Sequence, residues 1–361
     1  MAELTVVKYM RNVVVPSLFF ALVASASAQH YRVTDLGVLP GGNRSTAYAI
    51  NQRGQVAGQS QVIVTGQPGY NGDVVNHAFL YSGGRLQDLG VLNSSANSRY
   101  SVAFAINSHG QVAGYSTTTS DDTLFSDPFL WSAGHMTDLG TLDGIDPGNA
   151  SGVNDQGTVI GQSPVRNNDS HSFTWHNAGL RDLMLANPTT GTSSQVAGIN
   201  NFGQICGTLT DPARSLAFLW QNGQITHLLG TLGGTNSYAK AINDLGHIVG
   251  VSNLKGDRVS HAFAYGNGTM YDLGPDATTV STAFAINSSD TIVGRCYTHG
   301  LTKAFAFIWK PGTGLKDLNQ SINPHSDWVL TWATGVNDRG QICGEGFHNG
   351  LERAFLLDPV F

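Results

Sequence analysis

Four side chains on two long connections have the types needed to break a polymer: Arg99, Tyr100, His325 and Asp327. A glycoside hydrolase works with two carboxylates about 5–10 Å apart. An eliminating enzyme needs a His or Tyr base beside a cation. These four residues supply such groups only if the fold brings them together. A second set lies on other variable segments: Tyr70, Asp73, Arg166, Asp169, Lys255, Asp257, Arg258, His299, Trp328 and His348, with Asp121 and Asp122 nearby. Aromatics among scattered charges suit recognition of a glycan or an extracellular protein.

Other constellations point to structure rather than chemistry. His77, His171 and His261 recur in register, as do Asp35, Asp88, Asp138, Asp182, Asp272 and Asp317. Residues repeated once per structural unit cannot easily converge on one metal, so hydrogen bonds inside each unit are the expectation. His227 interrupts the Asp series. The stretch from Asp143 to Asn149 offers oxygens to Ca²⁺ but lacks the EF-hand spacing and its closing Glu. No Gly-x-Ser-x-Gly, His-Glu-x-x-His or phosphate-cradling loop is present, and no cofactor is expected.

The elements that must position these residues are repeats. An Ile-Asn or Val-Asn pair recurs at Asn51, Asn107, Asn154, Asn200, Asn243, Asn287 and Asn337. Such a period indicates a solenoid, propeller or array. Repeat five shows the whole unit: Ser237 to Asn243, a turn ending at Gly246, His247 to Ser252, His261 to Tyr265, a turn at Gly266-Asn267-Gly268, and Met270 to Gly274. Four short runs rich in β-branched and aromatic residues, punctuated by Gly and Asn, read as four strands. Four strands in seven repeats predict a seven-bladed β-propeller. Small residues before each Asn place that run innermost, and Asp-Leu-Gly is outermost. In the sixth turn Asp290 replaces the usual Gly, which the left-handed tolerance of Asp permits.

The ends test this order. Tyr31 to Gly37 is an outer strand without its own blade, and Arg353 to Leu357 is a third strand without a fourth. The N-terminal strand is therefore expected to complete the last blade and close the ring, removing open sheet edges. The strand order also puts two variable loop classes on one face and only tight turns on the other. Variable loops on a rigid scaffold are where binding sites are built.

Lys8 and Arg11, an apolar run from Val13 to Val23, and Ala24-Ser25-Ala26-Ser27-Ala28 describe a secretory signal peptide over residues 1–28. Residues 29–361 are then one exported propeller, expected to be soluble and monomeric, secreted or periplasmic. Charged residues are 12% of the chain and the net charge is -6, which gives no electrostatic reason to approach nucleic acid.

The third-strand motif reads His77-Ala78-Phe79, His261-Ala262-Phe263, Leu216-Ala217-Phe218 and His171-Ser172-Phe173, departing at Asp127-Pro128-Phe129, Phe305-Ala306-Phe307 and Arg353-Ala354-Phe355. With the Ile-Asn and Asp-Leu-Gly elements, the chain resembles the HAF-repeat family of bacterial extracellular repeat proteins over residues 31–358. The resemblance implies an exported propeller-type repeat and no catalytic residue. Three functions stay open: a binding propeller, a polymer-degrading enzyme on the same scaffold, and a structural surface role.

Cys206, Cys296 and Cys343 fall in different repeats. Equivalent positions of separate blades lie beyond the roughly 7 Å that a disulfide tolerates between Cα atoms. Titration of the denatured chain with a thiol reagent is expected to find three thiols; a single thiol would reveal a bridge.

Overall fold

A computed structural model describes residues 30–64, 72–92, 99–118, 126–144, 147–165, 169–177, 179–183, 192–298 and 303–360. They form seven four-stranded antiparallel sheets arranged as a seven-bladed β-propeller. Blade 1 runs outward through Ser45–Ile50, Val56–Val64, Asp73–Ser82 and Arg85–Asp88. The inner strands of blades 2 to 6 are Ser101–Ile106, Asn149–Val153, Ser193–Ile199, Gly233–Ile242 and Val280–Ile286. Blade 7 holds Trp328–Val336, Ile342–His348 and Leu351–Val360, and its outer strand is His30–Asp35 from the N-terminus. That strand pairs antiparallel from His30 opposite Val360 to Asp35 opposite Phe355, so the ring closes as the sequence order requires.

Each blade is built around one Phe. Phe79, Phe129, Phe173, Phe218, Phe263, Phe307 and Phe355 are fully buried on the third strands. Each sits opposite a second-strand Gly, as Phe79 does Gly58 and Phe355 does Gly344. The close approach explains the Gly: a Cβ on Gly58 would lie 2.1 Å from the Thr46 carbonyl and 2.8 Å from the Phe79 ring. All three Cys are free and buried.

The blades are tied together by a closed belt of seven asparagines. The Asn51 Nδ2 donates to the Asn107 carbonyl at 2.9 Å, Asn107 to Asn154 at 2.9 Å, Asn154 to Asn200 at 3.1 Å, and Asn200 to Asn243 at 3.0 Å. Asn243 continues to Asn287 at 2.9 Å, Asn287 to Asn337 at 3.0 Å, and Asn337 returns to Asn51 at 3.0 Å. The Oδ1 of the same side chain caps its own turn; that of Asn337 accepts from the Arg339 and Gln341 amides. Only a side chain with both donor and acceptor can do this, which is why Asn recurs and Asp does not. On the opposite face serines make the stitch: Ser101 Oγ accepts from the Ala78 amide and donates to the Gly90 carbonyl.

The recurring His and Asp are structural. His77, His171 and His261 bond Asp88, Asp182 and Asp272 at 2.9, 2.7 and 2.7 Å within their blades. In blade 7 the N-terminal Asp35 is held instead by His348 of the second strand at 2.9 Å. The register corrects the reading of His227: Phe218 faces Leu228 where Phe79 faces Asp88, so Leu228 is the replaced Asp, in a blade where Leu216 replaces the His. His227 occupies the neighbouring position.

Asp290 has the expected positive φ of 56°. It also has a partner that the turn alone does not reveal. Its carboxylate takes His247 Nδ1 of blade 5 at 2.7 Å and Asn243 Nδ2 at 3.1 Å. His247 stands where most blades carry Gln, and Gly266 leaves space for its ring, since a Cβ there would lie 2.8 Å away.

Replacing Asn337 by Ala removes the closing link and two turn caps, leaving the Asn51 carbonyl with only the Gly54 amide. The expected loss is about 3 kcal/mol in chemical denaturation, with Asn337→Asp intermediate because it keeps only the acceptor. The His247–Asp290 bond raises the His247 pKa above its ordinary value. A raised His stabilises fully below the unfolded value of about 6.5 and loses that contribution as pH rises through the folded value. Melting temperature measured from pH 6 upward should fall more steeply for the natural chain than for His247→Gln.

Candidate functional site

The channel opens at both ends, and the two mouths differ. The mouth on the tight-turn face is a cavity of about 250 Å³ lined by the belt and by the residue after each Asn. Its carboxylates are already engaged. Asp155 accepts from the Ser108 amide and Asn201 Nδ2, Asp244 from the Asn201 amide and Nδ2, and Asp338 from the Ser288 amide and Gln52 Nε2. These bonds link one blade to the next, so the three carboxylates are spent on closing the ring.

The mouth on the loop face is larger, about 480 Å³, and is lined by aromatic, amide and hydroxyl side chains and one lysine. Its shape comes from one irregularity repeated in every blade. The pairing of the inner and second strands slips by one residue, as between Ala47 and Ala49 or Ala239 and Ala241. A β-bulge re-aims the extra residue and bends the strand. The bulged residues stand three before each belt Asn: Tyr48, Phe104, Ser151, Ala197, Lys240, Phe284 and Thr334. All but Thr334 line the mouth, joined by residues five before and eight after the Asn, including Asn149, Gln195, Tyr238 and Trp332, and Tyr115, Gln162 and Thr208.

These columns are unequal around the ring. Blades 6, 7, 1 and 2 form an arc of touching rings. Phe284 meets Trp332 edge-on at 5.2 Å, Trp332 meets Tyr48 at 6.0 Å, Tyr48 meets Phe104 at 5.4 Å, and Phe104 meets Tyr115 at 5.8 Å. Behind it the Arg295 guanidinium lies 4.6 Å from the Tyr297 ring centroid and 5.9 Å from that of Trp332. Gln59 Nε2 donates to the Tyr48 hydroxyl at 2.9 Å. Blades 3 and 4 oppose the arc with amides and hydroxyls: Asn149, Ser151, Gln162, Gln195 and Thr208. Blade 5 adds Tyr238 and Lys240.

The electrostatics suit holding a ligand better than reacting with it. Burial, with the nearby Glu345 carboxylate and Tyr115, pushes the Tyr48 phenol up to about 12. Burial raises Tyr115 as well. Both phenols stay protonated near neutral pH and serve as donors, not bases. Glu345 is bound to Thr46 Oγ1 at 2.5 Å and lies 3.7 Å from Arg44. Among the described residues lining the cavity there is no Asp, Glu or His. Lys240 is open to the channel, yet protein surrounds it closely enough that desolvation lowers its pKa, against a small opposing effect of the Cys206 thiol.

The residues expected from the sequence lie elsewhere. Arg99 pairs with Asp73 at 3.5 Å, and Tyr100 packs on Leu39, Val62 and Val75, joining blade 1 to blade 2. His325 and Asp327 belong to the turn before blade 7, where Asn323 Oδ1 accepts from the His325 amide and Asp327 takes a positive φ. The four do not line the channel mouth with one another. Trp328 is buried, stacked on His348 at 4.7 Å and edge-on to Phe355, so it belongs to the core rather than to a binding loop. His348 holds Asp35. Asp257 is also engaged: it accepts from the Thr235 amide and Asn253 Nδ2, bonds that lower its pKa. Lys255 and Arg258 are exposed beside it. Asp169 begins the third strand of blade 3. Tyr70, Asp121, Asp122, Arg166 and His299 lie outside the described residues, as do Asp146 and the segment read as a signal peptide. Among the described residues no cluster of three or more His, Cys, Asp or Glu could hold a metal.

The residues that sequence reasoning missed were visible as a column. Tyr48, Phe104, Ser151, Ala197, Lys240, Phe284 and Thr334 vary from repeat to repeat, as do the residues five before each Asn, while the position between them is Ala in six repeats and Val in the other.

No family model matches this chain, and no curated protein does. Solved structures do. The β-propeller domain of the Trilobed protease from Pyrococcus furiosus, described as having an open velcro topology, has a TM-score of 0.56 at 10% identity, over 92% of this chain and 95% of that one. An oligogalacturonate lyase from Vibrio parahaemolyticus has a TM-score of 0.54 at 8% identity, over 92% and 97%. A puromycin-hydrolyzing peptidase from Mycobacterium tuberculosis has a TM-score of 0.56 at 13% identity, over 87% of this chain and half of that one. At these identities the likeness is one of fold, and it establishes the propeller.

Proposed function

We propose that this chain is an exported propeller, as its HAF-like repeats imply, and that it binds a glycan seated in the loop-face mouth of the channel. One observation carries the reading: a continuous aromatic arc faces a wall of amides and hydroxyls across one cavity. A sugar ring has an apolar face that stacks on aromatic side chains and a rim of hydroxyls that amides satisfy. Ligand sites generally combine apolar walls with a few convergent polar groups in this way. Tyr48, Phe104 and Phe284 of the arc project from bulges on inner strands paired into their blades, which preorganises the platform.

An enzymatic reading has less support. The two hydroxyl groups best placed at the mouth are phenols held in the protonated state. The one carboxylate near the arc, Glu345, is tied to Thr46 and Arg44.

The test is retention of residues 29–361 on a panel of insoluble polysaccharides, with bound protein and released reducing or unsaturated ends assayed together. Retention without product is expected. Trp332→Ala and Phe104→Ala should each weaken affinity for a soluble fragment of the retained polymer by about tenfold, equivalent to about 1.4 kcal/mol. Trp332→Phe should keep most of it. Product release would convert the reading to an enzyme, and retention indifferent to both Ala substitutions would remove the arc as the site.

A further inference from the structure

We propose that the funnel selects an anionic glycan, setting the acid group of one sugar on the Lys240 ammonium while neighbouring rings lie on the aromatic arc. This rests on the glycan reading above and names its ligand class.

Lys240 is the sole charged residue of the bulge column and carries the one formal charge among the described residues lining the mouth cavity. It lines the interior of the channel as well, so it stands at the waist where the mouth narrows. Its strand neighbours hold it there. Ala239 is buried against the blade 4 and 5 core, and the bulge between Ala239 and Ala241 turns Lys240 toward the axis. Of the other charges near the mouth, Arg44 is paired with Glu352 and Glu345, whereas Arg295 is stacked over Tyr297 behind the arc and does not line the cavity.

Lys240 has no such arrangement. No carboxylate contributes to its electrostatic surroundings, which are dominated by desolvation. A partly desolvated ammonium without a counter-charge is unfavourable, and nothing in the architecture requires one here. The same position holds Ser151 and Ala197 in the two preceding blades, so a small residue fits. An incoming carboxylate or sulfate supplies the missing counter-charge. The adjoining Gln195 and Tyr238 extend the polar wall beside it.

The experiment is calorimetric titration of residues 29–361 with three soluble tetrasaccharides: oligogalacturonate, a sulfated galactan fragment and neutral galactotetraose. At least one acidic probe should bind at least tenfold more tightly than the neutral one, and whichever leads identifies the acid group. That preference should shrink in high salt. Lys240→Gln should abolish the preference with an unchanged melting temperature; Lys240→Arg should restore it. If the neutral probe binds as well as both acidic ones, or if the preference survives Lys240→Gln, the charge assignment fails and the glycan site stands. If no probe binds and Trp332→Ala changes nothing, the glycan reading itself falls, and this proposal with it.

Discussion

One amide side chain per blade sets the geometry of the whole molecule. Each belt Asn spends its oxygen on its own turn and its nitrogen on the next blade's carbonyl, and the seven links return on themselves from Asn337 to Asn51. A bond of this kind fixes both the rotation between adjacent blades and the depth at which inner strands begin. The register of those strands follows, and with it the place of each bulge. Because the belt, the Phe–Gly pairs and the serine stitches hold the blades, the position three before each Asn can vary, although Ser151 and Thr334 still bond the next blade through the Val196 and Ala47 carbonyls. It carries Tyr, Phe, Ser, Ala, Lys, Phe and Thr in turn. The variety at that position is what makes the mouth asymmetric, with rings on one side and amides on the other.

The same logic separates the two ends of the channel. On the turn face the repeated residues are consumed in bonding one blade to the next, and even three carboxylates are spent there. On the loop face the side chains project from bulges into open space. A ring-shaped scaffold thus has one end that is structural by construction and one that can be specialised.

Much of this architecture was legible in the sequence because it depends on local spacing. The repeated Asn, the four strand runs, their order and the closing outer strand at Tyr31 all follow from periodicity and residue size. The site was not legible, for three physical reasons. Alternation along a strand does not anticipate a bulge, so Tyr48, Phe104 and Trp332 read as members of a small-residue strand rather than a channel lining. Exposure cannot be inferred from lying on a connection: Trp328, at the end of a long one, is buried against His348 and Phe355. And compensation between blades is invisible in one repeat. Asp290 looked like a tolerated turn substitution, but it is one corner of a change that also needed His247 and Gly266.

The outer strand of blade 7 has a consequence for how the chain reaches its final form. Six of the seven belt links span 43 to 56 residues, whereas the link from Asn337 to Asn51 spans 286. His30–Asp35 precedes every blade in the chain, yet its partner, Leu351–Val360, follows the first six of them. Loop-closure entropy must be overcome before distant contacts form. Blades 1 to 6 can therefore assemble in order of synthesis, each against its predecessor, while the ring waits for its two ends to meet. Throughout that interval the outer edge of blade 7 stays unpaired. The contact with the greatest loop-closure cost is also the one that turns an open stack of sheets into a closed channel.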